Sequence, residues 1–236
     1  MNSNNPFSAE SPKNYEQKCT VALVVDTSSS MEEHNRLTNM VAGLSAFLKE
    51  VQDDENLKNK LEIGIVAFSH ECRRAVEPSL AADIQLPELK ADGGTFSIQA
   101  IQAGIQMVAD RKAWYRANGL SYYRPWVIYI TDGEPDPRES PSDFEAKWDE
   151  LATQIRQAEQ QKTFCFLSLG VDKYQPAYLE RIKQAQIPVY QLSGSLKFTD
   201  FFKWLSTTIA EVSKGVDVSK AVKLNTDSWD SGQTPS

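Results

Sequence analysis

The chain has 236 residues, 41% of them hydrophobic and 24% charged, with a formal net charge of −7. That is enough apolar material for one sizeable α/β core and excludes a globally disordered chain, while the acidic balance argues against a nucleic-acid binder, which would present a basic face. Three widely spaced cysteines, Cys19, Cys72 and Cys165, with no C-x-x-C pair, speak against a zinc–thiolate site and suit a reducing compartment.

Residues 1–18, rich in Asn, Ser, Pro and charge and without an apolar signal-type stretch, are expected to form a flexible lead-in. Nowhere does the chain approach the roughly 18 consecutive apolar residues of a membrane span, so a cytoplasmic protein with no membrane contact is expected. Cys19–Val25 reads as a strand buried on both faces. It stops at a carboxylate and a run of hydroxyls, Asp26, Thr27, Ser28, Ser29 and Ser30. A helix is predicted from about Glu33 to Val51, with Leu37, Val41, Leu44, Leu48 and Val51 on one face. Leu61–Phe68 is the second strand, Ser69–Glu71 a turn, and Cys72–Val76 a short antiparallel strand at or near an edge. Leu80–Leu86 fits no single element.

Asp92-Gly93-Gly94-Thr95 is a strong turn signal. A helix follows from Ser97 to about Ala117, with Ile98, Ile101, Ile105 and Val108 in one stripe, and Asn118-Gly119 stops it. Ser121–Pro125 is a linker whose tyrosines are expected to cover the bottom of the sheet. Trp126–Ile130 is the next buried strand and ends at Thr131-Asp132-Gly133. The loop Glu134–Ser142, a helix over about Asp143–Gln160, a strand Thr163–Leu169 and a shorter helix Pro176–Gln184 come next. Val189–Leu192 is a last short strand, and Phe198–Val212 a closing helix packing through Phe198, Phe201, Phe202, Leu205 and Ile209. Residues 213–236 turn polar and read as a disordered tail, leaving 19–212 as one domain.

This alternation predicts a doubly wound, Rossmann-like α/β fold. Its sheet has six strands, mostly parallel, with one antiparallel strand in the edge region and helices on both faces. In such a sheet the loops at the carboxyl ends of neighbouring strands share one edge, where ligands bind. Asp26-x-Ser28-x-Ser30 and Asp132 follow two buried strands, and Gly93-Gly94 lets the backbone bring Thr95 close. Two carboxylates and three hydroxyls are hard oxygen donors suited to Mg²⁺, with Mn²⁺ or Ca²⁺ as alternatives. Two carboxylates roughly cancel one divalent charge, so the ion would keep exchangeable water and accept a carboxylate from outside. Mg²⁺ asks for near-octahedral oxygens at about 2.1 Å.

Asp26-x-Ser28-x-Ser30, Thr95 after Gly-Gly, and Asp132-Gly133 resemble the metal-ion-dependent adhesion site (MIDAS) of von Willebrand factor A (VWA) domains, over about Cys19 to Val212. The stretch Tyr115–Trp126, leading into Ile130-Thr-Asp-Gly-Glu-Pro135, is similar to bacterial intracellular members of the TerY-like group, associated with tellurium-resistance and stress gene clusters. The resemblance implies a VWA fold and a non-enzymatic cytoplasmic interaction module. It implies metal ligands at Asp26, Ser28, Ser30, Thr95 and Asp132, the hydroxyls touching the metal directly or through water and the aspartates often acting through water. It also implies a protein partner that supplies an Asp or Glu, with a protein kinase or a metal-dependent phosphatase of the same system as candidate partners. The family usually has Gly between the two serines; Ser29 stands there, and a positive φ at that position would cost about 1 kcal/mol.

Alone, Asp26–Ser30 reads equally as a helix cap, and Asp92–Thr95 and Asp132-Gly133 as ordinary turns. Jointly, in family order, they favour the metal. His34 and His70 lie too far apart in sequence to suggest a zinc pair, and Glu134, Asp136 and Asp172 read as solvated loop acids with a rim to the site as the lesser option. Two other functions compete. A metal-dependent phosphoryl-transfer enzyme would need a second acid where Ser28 stands, and neither a P-loop nor a G-x-S-x-G elbow is present. A scaffold with a vestigial metal site is the other.

Overall fold

A computed structural model describes residues 11–55, 57–172, 174–185, 187–192, 194–213, 216 and 220–221. The first ten residues of the expected lead-in, and the expected tail beyond 213 apart from 216, 220 and 221, lie outside the described residues. The elements run β1 (Cys19–Asp26), α1 (Arg36–Asp53), β2 (Leu61–Phe68), β3 (Cys72–Leu80), α2 (Ser97–Ala117), β4 (Trp126–Thr131), α3 (Phe144–Gln160), β5 (Cys165–Val171), α4 (Pro176–Ile182), β6 (Tyr190–Leu192) and α5 (Gly194–Ser213). Short 3-10 turns occupy Ser29–Asn35, Ala81–Asp83 and Pro137–Glu139.

The six strands form one sheet in the order β3-β2-β1-β4-β5-β6. Pairing is parallel except between β2 and β3. This is the mostly parallel sheet with an antiparallel edge strand that the alternation of elements predicts. Period-two alternation builds its two layers. Val21, Leu23 and Val25 enter a core shared with residues of α1 and α5, whereas Ala22 and Val24 enter a second core with α2, α3 and α4. Strands buried on both faces need apolar residues at every position, which is why β1, β2 and β4 are near-continuous apolar runs. The expected face of α5 is buried, with Phe202 stacked on Phe47 of α1 at 5.2 Å between ring centroids.

α2 lies directly over β1 because Gly104 has no side chain: a Cβ there would stand 2.5 Å from Cγ2 of Val24. At the bottom of the sheet Tyr122 stacks on Tyr115 at 5.5 Å, and the Tyr123 N–H donates to the Lys18 carbonyl at 2.7 Å. Beside them, the buried Arg111 guanidinium grips the Glu62 carboxylate with two bonds of 2.6 and 2.8 Å.

Several element ends differ from expectation: β5 is Cys165–Val171 rather than Thr163–Leu169, α4 ends at Ile182 rather than Gln184, and α5 begins at Gly194 rather than Phe198. α1 starts at Arg36 rather than Glu33, because His34 and Asn35 adopt left-handed backbone, φ 52° and 57°, which ends the 3-10 turn and redirects the chain. β3 runs on to Leu80 through Pro78, which an edge strand tolerates since it needs no ladder donor on its outer side.

Candidate metal centre

β1 and β4 are adjacent and parallel, and β2 and β4 flank β1 on opposite sides. The strand order therefore reverses between them, which opens a crevice past their carboxyl ends. β1 delivers Asp26 to this edge and β4 delivers Asp132. Backbone bonds then knit the loops. The Ser29 N–H donates to the Gly93 carbonyl at 3.1 Å and the Asp92 N–H to the Thr27 carbonyl at 2.8 Å. The Asp136 N–H donates to the Thr95 carbonyl at 2.9 Å, tying the loop after β4 to the loop before α2. Glu139 completes the tie by accepting from the Ile98 and Gln99 N–H groups at the start of α2, at 3.0 and 2.7 Å. Gly93, at φ 75°, is needed twice: for its left-handed backbone, and because a Cβ would stand 1.8 Å from Nδ1 of His70.

All five expected side chains meet at this edge. The Ser30 hydroxyl donates to Oδ1 of Asp132 at 2.8 Å and lies 3.0 Å from the Ser28 hydroxyl. Asp26 accepts from the Ser28 N–H at 2.7 Å and from the Thr131 hydroxyl at 2.6 Å. Thr95 Oγ1 and Ser30 Oγ both border Gly133: a Cβ on it would lie 3.8 and 4.0 Å from them. Asp26, Ser28, Thr95 and Asp132 are buried and Ser30 half-buried. A serine whose proton is taken by a carboxylate keeps its oxygen lone pairs for a cation, so the bonding within the cluster leaves it a donor set of hard oxygens.

The electrostatics carry the same message. Burial pushes the Asp26 carboxyl up to about 6, opposed by the hydrogen bonds from Ser28 and Thr131 and reinforced by the charge of Asp132. Among the described residues Asp26 has no cationic side chain in ion-pair contact. A buried carboxylate without a counter-charge is unfavourable, and a cation placed between Asp26 and the hydroxyls would relieve it. The five donors thus fit a hard divalent cation. With only two carboxylates they do not form a cluster of three or more His, Cys, Asp or Glu, and no such cluster occurs among the described residues.

Ser29 is exposed and lacks the positive φ considered for it, so its side chain imposes no backbone strain. Glu134 is exposed, Asp136 is paired with Arg138 at 2.5 Å, and His34 is exposed beyond the loop. Asp172 is not a solvated acid: it binds Arg36 Nε at 2.7 Å. Arg36 itself escaped the reading of the sequence. Its Nη1 contacts Oδ2 of Asp132 at 2.5 Å and the Ser30 carbonyl at 3.1 Å. The available signal was its place in the first turn of a helix, the end where a cation is least favoured, which calls for acidic partners from elsewhere.

Residues 21–134 match the family profile of the von Willebrand factor type A domain. No curated protein sequence matches the chain. Among solved structures, the pilus adhesin SpaC of Lactobacillus rhamnosus GG superposes with a TM-score of 0.60 at 16% identity, over 83% of this chain and 31% of that one. The vWF domain of the type V pili tip protein Mfa5 of Porphyromonas gingivalis gives 0.57 at 12% identity, over 85% of this chain and 97% of that one. The ArnB paralog VWA2 of Sulfolobus acidocaldarius gives 0.51 at 16% identity, over 81% of this chain and 46% of that one. The chain thus spans about a third of the SpaC chain, and at these identities the likeness is one of fold.

Proposed function

We propose that this von Willebrand factor type A domain is a non-enzymatic interaction module. It would bind a divalent cation, Mg²⁺ first and Mn²⁺ or Ca²⁺ as alternatives, through Asp26, Ser28, Ser30, Thr95 and Asp132, and through that cation an Asp or Glu of a partner protein. Domains of this type commonly mediate protein–protein interaction. The observation that carries the reading is the meeting of two buried carboxylates with three hydroxyls at the switch point of the sheet, one carboxylate lacking a counter-charge among the described residues. Such a cation would act as a Lewis acid toward an incoming carboxylate. The chain's own part is to hold five oxygens in place and to leave one side of the site to the partner.

The same reading extends to setting. Among the described residues no helix is long and apolar enough to cross a membrane. The similarity of Tyr115–Trp126 to the TerY-like group supports a cytoplasmic role in a bacterial stress or tellurium-resistance system, with a kinase or metal-dependent phosphatase as partner. Turnover is not part of this reading, because the position two residues after Asp26 is Ser28, where phosphoryl transfer through an aspartate would need a second acid.

The test is capture of binding proteins on immobilised wild type, Asp26→Ala and Thr95→Ala, each with Mg²⁺ and with EDTA. Binding present only for wild type in Mg²⁺ supports the metal bridge; binding unchanged by both substitutions and by EDTA overturns it and leaves a scaffold. Release of phosphate from generic phosphoesters, abolished in Asp26→Asn, would instead establish the enzyme reading.

A further inference from the structure

We propose that Arg36 is a resident cation of the metal centre, shared between Asp132 and Asp172, and that this sharing sets how tightly the centre takes its divalent ion. The inference rests on the metal reading above and concerns a residue outside the expected ligand set. Arg36 bridges two acids that follow two different strands, β4 and β5, at 2.5 and 2.7 Å, with its side chain only 13% exposed. It also binds the carbonyl of Ser30 inside the first metal loop. Glu33, the remaining acid near it, is 3.7 Å away and largely exposed.

Both oxygens of Asp132 are engaged, Oδ1 by the Ser30 hydroxyl and Oδ2 by Arg36. An ion drawing on Asp132 therefore meets a positive charge already on the same carboxylate. Like charges a few ångströms apart in half-buried surroundings repel strongly. Asp172 offers the guanidinium a second berth, and a fixed one. Its N–H donates to the Leu192 carbonyl at 2.7 Å, its carbonyl accepts from the Gln191 side chain at 2.6 Å, and its own backbone is left-handed, φ 50°. Arg36 thus weakens the ion's hold on the site, and Asp172 restores part of it by offsetting part of the guanidinium's charge.

The two partners have opposite effects, which a merely structural clamp would not produce. Isothermal titration of the full chain with MgCl₂ and MnCl₂ should show Arg36→Gln binding about tenfold tighter than wild type and Asp172→Asn about tenfold weaker. Arg36→Lys, which keeps the charge, should stay close to wild type. Asn accepts left-handed backbone, so Asp172→Asn adds no strain at that position. Weaker binding in both Arg36→Gln and Asp172→Asn would make Arg36 a clamp and overturn the proposal, as would wild-type affinity in both. If Arg36→Gln fails to fold, Arg36→Met takes its place, tighter binding supporting the proposal and unchanged or weaker binding overturning it. Absence of ion binding by wild type itself would remove the metal reading instead.

Discussion

Asp26 concentrates the tension of the site in one side chain. It is fully buried, accepts two hydrogen bonds and has no ion-pair partner among the described residues, so without a metal its charge opposes folding. Replacing it by Asn keeps an acceptor for the Ser28 N–H and removes the charge. In EDTA at neutral pH, Asp26→Asn should therefore be more stable than wild type by about 1–3 kcal/mol, read as a higher melting temperature in calorimetry. In Mg²⁺ the order should reverse, since the variant has lost the carboxylate that an ion would neutralise. A variant less stable than wild type in EDTA would mean that the Asp26 charge is compensated by other means.

The helices and strands act on the site through their packing. α2 begins two residues after Thr95, and its seat over β1 depends on Gly104. Gly104→Val would drive the new side chain into Val24 and lift the helix. The expected cost is about 1–3 kcal/mol in denaturant unfolding, with weaker ion binding as Thr95 is carried outward. Much at this scale was legible from residue type alone. Asp26, Ser28, Ser30, Thr95 and Asp132 each follow a buried strand or precede a periodic helix; adjacency of β1 and β4 brings Asp26, Ser28, Ser30 and Asp132 to one edge, and the backbone bonds of Asp92 to Thr27 and of Asp136 to Thr95 add Thr95. Ser97–Ala117 was marked at both ends by glycine-containing turns, and the helix has those bounds. The kink at His34-Asn35 was not legible, because apolar spacing reports a helical face and is blind to a left-handed φ in polar residues just before it. The reach of β3 was hidden by Pro78, which reads as a breaker until its strand is known to lie at an edge. Arg36 was missed because its partners lie 96 and 136 residues away, a separation that no local pattern reports.

At the scale of the whole molecule, a cation that binds only the folded chain must stabilise it. At Mg²⁺ about a hundredfold above its dissociation constant the gain is about 2.7 kcal/mol, which should raise the melting temperature by several degrees and vanish on adding EDTA. A melting temperature indifferent to Mg²⁺, Mn²⁺ and Ca²⁺ would speak for the vestigial scaffold. The molecule also separates its two ends. The carboxyl edge of the sheet carries the loops with the acids and hydroxyls, whereas the opposite end is closed by Tyr122, Tyr123 and the Arg111–Glu62 pair.

The lateral borders of the sheet have a consequence of their own. One border is β3, which carries Arg73, Arg74, Glu77 and Pro78 and slips register against β2; the other is β6, three residues long. Charge, proline, a bulge and brevity are the devices that deny a docking strand a clean row of amides and carbonyls. These features disfavour extension of the sheet by strand addition and growth into edge-to-edge aggregates. Under the metal bridge proposed above, recognition would fall to the loop-bearing rim, and the partner would contribute a projecting side chain rather than a strand.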